Sequence, residues 1–300
     1  MRIYVFSYNR GRFLRNCLNS ILRHVPQYPI TVIDDGSTDP EVSKVLKDFY
    51  ERVTIVQSER KDKEQYLGGL YANMQYAIDN PSGEKWALFI QDDQQIVRNI
   101  DRADIDHWEQ FFDAYPEALE LATNFLKANR RAGSLRFKID YEVPVYFRDS
   151  SVSRRTHFAA TGLFHKERMR AVDWRFQVTE GWNEEMARNL GYKMGFSPYP
   201  FMMWLPNAES AKFQRKGFMH RFAEWYRGVG FYPYSDMTEN EVAWLRGRDI
   251  SELPLAQDIL HPVGMRTDQL WLFEDATKSI RFIHRRLKRK KKRKAARMKS

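Results

Sequence analysis

The residues best suited to chemistry are carboxylates gathered at three places. Trp86-Ala-Leu-Phe-Ile-Gln-Asp-Asp-Gln94 runs five apolar residues straight into Asp92 and Asp93, and Ile30-Thr-Val-Ile33 ends in Asp34-Asp-Gly-Ser-Thr-Asp39. Thr179-Glu-Gly-Trp-Asn-Glu-Glu185 places Glu180, Glu184 and Glu185 at the mouth of a helical pattern carrying Met186 and Leu190. Adjacent carboxylates repel each other unless a cation or hydrogen-bond donors hold them, so a divalent metal bridging a diphosphate is the natural guest of such a pair. The bland alternatives are helix caps and turns for the aspartates, and an acidic first turn complementing the helix dipole for the glutamates.

The elements that must position these acids follow from periodicity. Arg2-Ile-Tyr-Val-Phe6 reads as a strand and is followed, after Ser7-Tyr-Asn-Arg-Gly11, by Phe13, Leu14, Cys17, Leu18, Ile21 and Leu22 at helical spacing. Ile30–Ile33 is a second strand, Val42, Val45, Leu46 and Phe49 mark a second helix, and Val53–Val56 a third strand. A helix with Leu70, Met74 and Ile78 follows Gly68 and Gly69, and then comes the run from Trp86. This alternation predicts an α/β doubly wound, mostly parallel sheet with right-handed crossovers. A run that is apolar on both faces belongs at its centre, with the acids at its carboxyl end, where ligands bind in open sheets. Gly69, at a helix start, lets a ligand approach the backbone near a dipole that favours anions. Asp104–Tyr115 reads as a helix and Leu135–Phe147 as a hairpin or extended segment, while after Pro206 the chain turns aromatic-rich through Phe218, Phe222, Trp225 and Tyr226.

Charge excludes one function class. The net charge is +10, but residues 281 to 300 hold twelve Lys and Arg and no acid, which leaves 37 basic and 39 acidic side chains in residues 1 to 280. A nucleic-acid enzyme needs a basic groove in its body, so no specific nucleic-acid partner is expected. The histidines are scattered, with no pair at zinc-ligand spacing. The single cysteine, Cys17, permits no intramolecular disulfide, and the chain begins in a strand instead of a secretory signal, which points to the cytoplasm. No apolar run reaches the ~20 residues needed to span a bilayer.

Val5-Phe-Ser-Tyr-Asn-Arg10, Val32-Ile-Asp-Asp-Gly-Ser-Thr-Asp39, Gly69 with Ala72 and Asn73, and Phe89-Ile-Gln-Asp-Asp93 resemble, in order and spacing, the motifs of the inverting family 2 glycosyltransferases. The resemblance implies a nucleotide-diphospho-sugar transferase (GT-A) fold over residues 1–210, with a nucleotide-binding half over about 1–100 and an acceptor half over about 101–210. A mainly helical extension at 211–280 and the basic tail at 281–300 would follow. It implies a donor site at Ser7, Tyr8, Asn9, Asp35, Gly69 and Asp92, with Mn2+ or Mg2+ on Asp93. The donor would be a nucleoside diphosphate sugar, a UDP-sugar being favoured, and the acceptor a glycan or lipid-linked glycan. Where the family carries an Asp-X-Asp triplet, Gln91 stands at the first acid, so one charge is missing. Ala159–Glu167 resembles the acceptor-side segment, with Gly162 giving a substrate room. Inversion requires a base, and Glu184 is the first choice, with Glu180 and Glu185 as alternates. The basic tail, following an amphipathic pattern that carries Leu272, Ala276, Ile280, Ile283 and Leu287, predicts peripheral docking on the cytoplasmic face of an anionic membrane. Two other readings remain: a non-enzymatic protein binding nucleic acid or lipid through its tail, and a sugar nucleotidyltransferase. The acids around the central strand disfavour the first, and the lack of a glycine- and lysine-rich loop after the first strand disfavours the second.

Overall fold

A computed structural model describes residues 1–58, 69–128, 135–151, 156–209, 218–265 and 270–271. The basic tail, Gly68 and the polar stretch before it lie outside the described residues. In chain order the first elements are β1 (Arg2–Ser7), α1 (Gly11–His24), β2 (Ile30–Asp34), α2 (Pro40–Phe49), β3 (Thr54–Gln57), α3 (Gly69–Asp79), β4 (Trp86–Gln91) and β5 (Gln94–Ile96). Then follow α4 (Arg102–Ala114), β6 (Ala118–Ala122), β7 (Phe137–Asp140), β8 (Val145–Arg148), β9 (Gly162–His165), α5 (Lys166–Ala171), α6 (Glu180–Asn189), β10 (Lys193–Phe196) and β11 (Met202–Trp204). The last described helices are α7 (Phe218–Arg227), α8 (Glu239–Gly247) and α9 (Ala256–Ile259).

The chain divides into two units, Met1–Trp204 with Tyr234–His261, and Leu205–Pro233 with Pro262–Ser300. The stretch expected to form one extension after residue 210 is therefore divided, because Tyr234–His261 returns to the larger unit. Gln95 explains part of the return: its side chain donates to the Tyr234 carbonyl at 2.8 Å and accepts the Tyr234 N–H at 3.0 Å. In the smaller unit α7 carries an aromatic ridge, with Phe222 stacked on Tyr226 at 6.3 Å between ring centroids.

The larger unit is built on a nine-stranded sheet in the order β3-β2-β1-β4-β9-β6-β10-β8-β7. β1 pairs in parallel with both β2 and β4, so Ser7, Asp34 and Gln91 finish at the same edge. β9 enters antiparallel between β4 and β6, and the expected hairpin is the antiparallel pair β7–β8. Alternate residues of β1 and β4 bury opposite faces, which accounts for the unbroken apolar runs. Ile3, Val5, Leu88 and Ile90 pack against Leu14, Cys17 and Leu18 of α1, while Tyr4, Phe6, Ala87 and Phe89 pack with Tyr71, Met74 and Ile78 of α3. Helices on both faces make the sheet doubly wound, and in such sheets ligands bind at the carboxyl edge. Past β5 the chain is locked by Arg98, which donates twice to Asp104 at 2.8 Å and also to the carbonyls of Tyr199 and Pro200. Such a buried ion pair is retained because every donor is used.

Candidate active site

Asp92 sits where β4 leaves the sheet. Its backbone N–H continues the ladder to the Phe6 carbonyl at 3.0 Å, and its Oδ2 accepts the Tyr8 N–H at 3.0 Å. The carboxylate is thus pinned between the ends of β1 and β4 and is 1% exposed. Burial pushes its pKa up to about 6, with Arg10 pulling the other way and Asp93 reinforcing the rise. Arg10 joins the pair: Nη2 donates to Asp92 Oδ1, and Nη1 donates to Asp93 Oδ2 at 2.8 Å. Burial works against the guanidinium charge, but Asp92 and Asp93 reverse that and raise its pKa. The thiol of Cys17, under the pair on α1, is pushed well up by burial and then by the two aspartates, which leaves it inert.

The loop after β1 is stitched to the loop after β2. Asn9, in the left-handed region at φ 52°, accepts the N–H groups of Thr38 and Asp39 on its Oδ1 and donates its own N–H to Ser37 Oγ at 2.9 Å. Its carbonyl is therefore used in holding the loops together, and only its amide nitrogen lacks a partner. Asp34 accepts the Ser37 N–H and hydroxyl, so it is the turn former that the bland alternative expected there. Asp35 is 8% exposed, and its N–H donates to the Ser7 carbonyl at 2.9 Å. Its carboxylate lies against Gly69: a Cβ built there would stand 2.3 Å from Asp35 Oδ2. Ser7, Tyr8, Asp35, Gly69, Asp92 and Asp93 are thereby brought to one edge, at the ends of β1, β2 and β4 and the start of α3. Ser7 Oγ and Asp93 Oδ1 are buried there with no hydrogen-bond partner.

A divalent cation fits this donor set on one condition. Among the described residues no three His, Cys, Asp or Glu side chains form a metal cage. A hard cation here would take its protein ligands from the aspartate pair and complete its shell with diphosphate and water, the usual habit of Mg2+. The unpartnered Asp93 Oδ1 is an oxygen available for it, while the oxygens held by Arg10 are not.

The helix mouth gives its three glutamates different surroundings. Thr179 caps α6 by accepting the Trp182 N–H. Glu184, one turn in, is 3% exposed. It accepts the backbone N–H groups of Thr156 (3.1 Å), His157 (2.9 Å) and Phe158 (3.0 Å), together with the Thr156 hydroxyl (3.2 Å) and His157 Nδ1 (3.1 Å). Burial opposes its charge, but the N–H donors outweigh it and hold the carboxyl below its ordinary range. Both oxygens are saturated, so the geometry makes Glu184 a clamp on the 156–158 segment and removes it from first choice as base. Glu180 is half-buried in the first turn and Glu185 is exposed.

Glu120 escaped notice in the sequence. It lies in β6 with Oε2 accepting the Ala159 N–H at 3.0 Å and Oε1 buried without a partner. Burial first, then Glu180 and Glu184, raise its pKa well above the ordinary value, against the pull of the Ala159 N–H. A single Glu inside Ala118-Leu-Glu-Leu-Ala122 was the available signal. Gly162 has φ 150°, and a Cβ there would meet the Leu121 carbonyl at 2.9 Å. The close approach that requires glycine is made by β6, not by a substrate as the sequence had suggested.

A doubly wound, mostly parallel sheet with acids at the ends of β2 and β4 is an architecture of the GT-A type. Residues 3–101 match the model of glycosyl transferase family 2. No curated protein matches the chain. Among solved structures, S. aureus TarS residues 1–349 is 16% identical, over 68% of this chain and 60% of that one, with a TM-score of 0.46. The mannosyltransferase PcManGT from Pyrobaculum calidifontis, solved with GDP-Man and Mn2+, is 15% identical over 75% of this chain and 60% of that one, with a TM-score of 0.41. The chain thus spans 60% of the TarS segment it matches.

Proposed function

We propose that the protein is an inverting glycosyltransferase that moves a sugar, with a hexosyl group expected, from a nucleoside diphosphate sugar to a hydroxyl of a glycan or lipid-linked glycan. The observation that carries this reading is the convergence of Asp35, Gly69, Asp92 and Asp93 on one sheet edge. UDP-sugar is the favoured donor. Tyr8 and Ser7 lie beside the base and ribose, Asp35 accepts a hydrogen bond from them, and the α3 N-terminus faces the diphosphate. Asp93 would hold Mn2+ or Mg2+, which when bound would supply positive charge to the leaving diphosphate.

The acceptor oxygen attacks the anomeric carbon as the carbon–oxygen bond to the diphosphate breaks. The hydroxyl proton passes to a carboxylate, and the nucleoside diphosphate leaves with the bonding pair. Glu180 suits the base better than Glu184, because it stands at the mouth of α6 and does not carry the 156–158 clamp. We place the protein at the cytoplasmic face of a membrane, held by the tail; no described helix is long and apolar enough to cross one.

Thermal shift with UDP, GDP and other nucleoside diphosphates, each with and without Mn2+, tests the donor reading. One nucleotide is expected to raise the melting temperature in the presence of Mn2+, and Asp93→Asn is expected to abolish the cation-dependent part. Equal stabilisation of mutant and wild type in Mn2+ would sink the assignment of Asp93.

A further inference from the structure

The fold brings a basic side chain to the place where a cation is expected. Arg10 is the last residue before α1 and makes no side-chain cap to that helix; its guanidinium lies 5.7 Å from the centre of the Phe13 ring and hydrogen-bonds with its fork to Asp92 and Asp93. With Tyr8 N–H on Asp92 Oδ2, three of the four carboxylate oxygens are engaged, and Asp93 Oδ1 is the one left over. The bridge is incomplete on its own side too, since Arg10 Nε is buried without a partner. Unpartnered buried donors and acceptors are rare in folded proteins, and each calls for a reason, a bound ion or ligand being one. Here one is a donor that wants an anionic oxygen, the other an acceptor that wants a cation or a proton.

We propose that Arg10 is a displaceable counter-cation: it closes the Asp92–Asp93 pair in the free protein, yields the pair to a divalent cation that arrives with a nucleoside diphosphate, and then binds the diphosphate. This rests on the donor reading given above. A cation arriving alone finds one free protein oxygen and a neighbouring positive charge, which is a poor site for an ion that wants six or more oxygens. A nucleoside diphosphate changes both terms, since it supplies oxygens to the cation and an anionic partner to Arg10. The planar fork that fits two carboxylates fits phosphate oxygens equally well. Asp92 keeps its Tyr8 N–H throughout, so the ligand frame does not collapse when the guanidinium leaves. Cation and nucleotide affinities are then coupled, each raising the other by the same factor.

Mn2+ titrations of the full chain, followed by electron paramagnetic resonance of the free ion and by calorimetry, test this with UDP and GDP as probes. Without nucleotide, Arg10→Gln is expected to bind Mn2+ at least tenfold more tightly than wild type. In saturating Mn2+ the same variant is expected to bind the nucleotide about tenfold more weakly. Equal Mn2+ affinity of the two nucleotide-free proteins overturns the proposal, as does full nucleotide affinity in Arg10→Gln. Arg10→Lys keeps the charge but cannot bridge both carboxylates, so it must fall between the two in cation affinity; should Arg10→Gln fail to fold, a lysine variant indistinguishable from wild type refutes the idea. If no variant binds any nucleoside diphosphate, the donor reading has failed, and the nucleotide-free Mn2+ comparison still decides whether Arg10 guards the pair.

Discussion

Replacing Glu184 by Gln separates a structural clamp from a catalytic base. The carboxylate accepts three backbone N–H groups, a hydroxyl and an imidazole nitrogen, all from Thr156, His157 and Phe158. An amide of the same shape has one acceptor oxygen, and its NH2 must face at least one of those donors. Hydrogen bonds to a charged group contribute ~1.5–3 kcal/mol each, and a buried donor left unmet costs ~1–3 kcal/mol. Since part of the loss is relieved by small shifts of the segment, a net cost of about 2–4 kcal/mol is expected. At ~2–4 °C per kcal/mol for a domain of this size, calorimetry should find the melting temperature lowered by roughly 5–15 °C at pH 7. The pH dependence has a definite sign. Because the folded carboxyl titrates below its unfolded value, the stabilisation is fully present above the unfolded pKa and is lost as the pH falls through the folded one. The gap between wild type and Glu184→Gln should therefore narrow as the pH is lowered through ~4. A variant that melts with wild type at pH 7 yet has lost turnover would refute the clamp and restore Glu184 as the base.

The other acids and the tail give separate expectations. Glu180→Gln should lower turnover by about two orders of magnitude, the usual worth of a positioned base, with donor affinity and melting temperature nearly unchanged; turnover within twofold of wild type in a steady-state assay rules it out. Gly69→Ala should weaken nucleoside diphosphate binding by calorimetry roughly tenfold, because the new methyl must push the Asp35 carboxylate aside; undiminished affinity would remove Asp35 from the donor site. A chain ending at Ser279 should lose sedimentation with anionic vesicles while still glycosylating a soluble acceptor, since each basic residue near such a surface contributes ~1 kcal/mol. If the truncated protein pellets as fully as the whole chain, or neither pellets at low salt, the tail is not the anchor.

How much of this was legible beforehand depends on whether a signal lay within one element. β1 and β4 could be read because a strand buried on both faces is apolar at every position, and the acid that ends it marks its polarity in the sheet. α4 could be read from Trp108, Phe111 and Phe112 on one stripe, all buried in the structure. The polar Gln94-Gln-Ile96 gave no sign of a strand, yet it forms β5 and pairs with β11 while fully buried. Its amides are paid for by distant partners: Gln94 donates to Asn124 at 2.7 Å, and Gln95 bonds the backbone of Tyr234. No local pattern could announce that, and the expected boundary after residue 210 missed the return of Tyr234–His261 for the same reason.

The site divides along the same line. Sequence placed carboxylates at the strand ends and the helix mouth, because their neighbours in the chain define those elements. It could not rank Glu184 against Glu180, since the ranking turns on whether backbone N–H groups 26 to 28 residues earlier fold onto one of them. Nor could it see that Arg10, 82 residues before Asp92, occupies the carboxylates assigned to a metal. A charged residue's type fixes what it can hold, but the partner that reaches it first in the fold fixes what it does hold. At both acidic sites that partner arrives from a loop, Tyr8–Arg10 in one case and Thr156–Phe158 in the other, and a loop's spacing carries no periodicity from which its destination could be inferred.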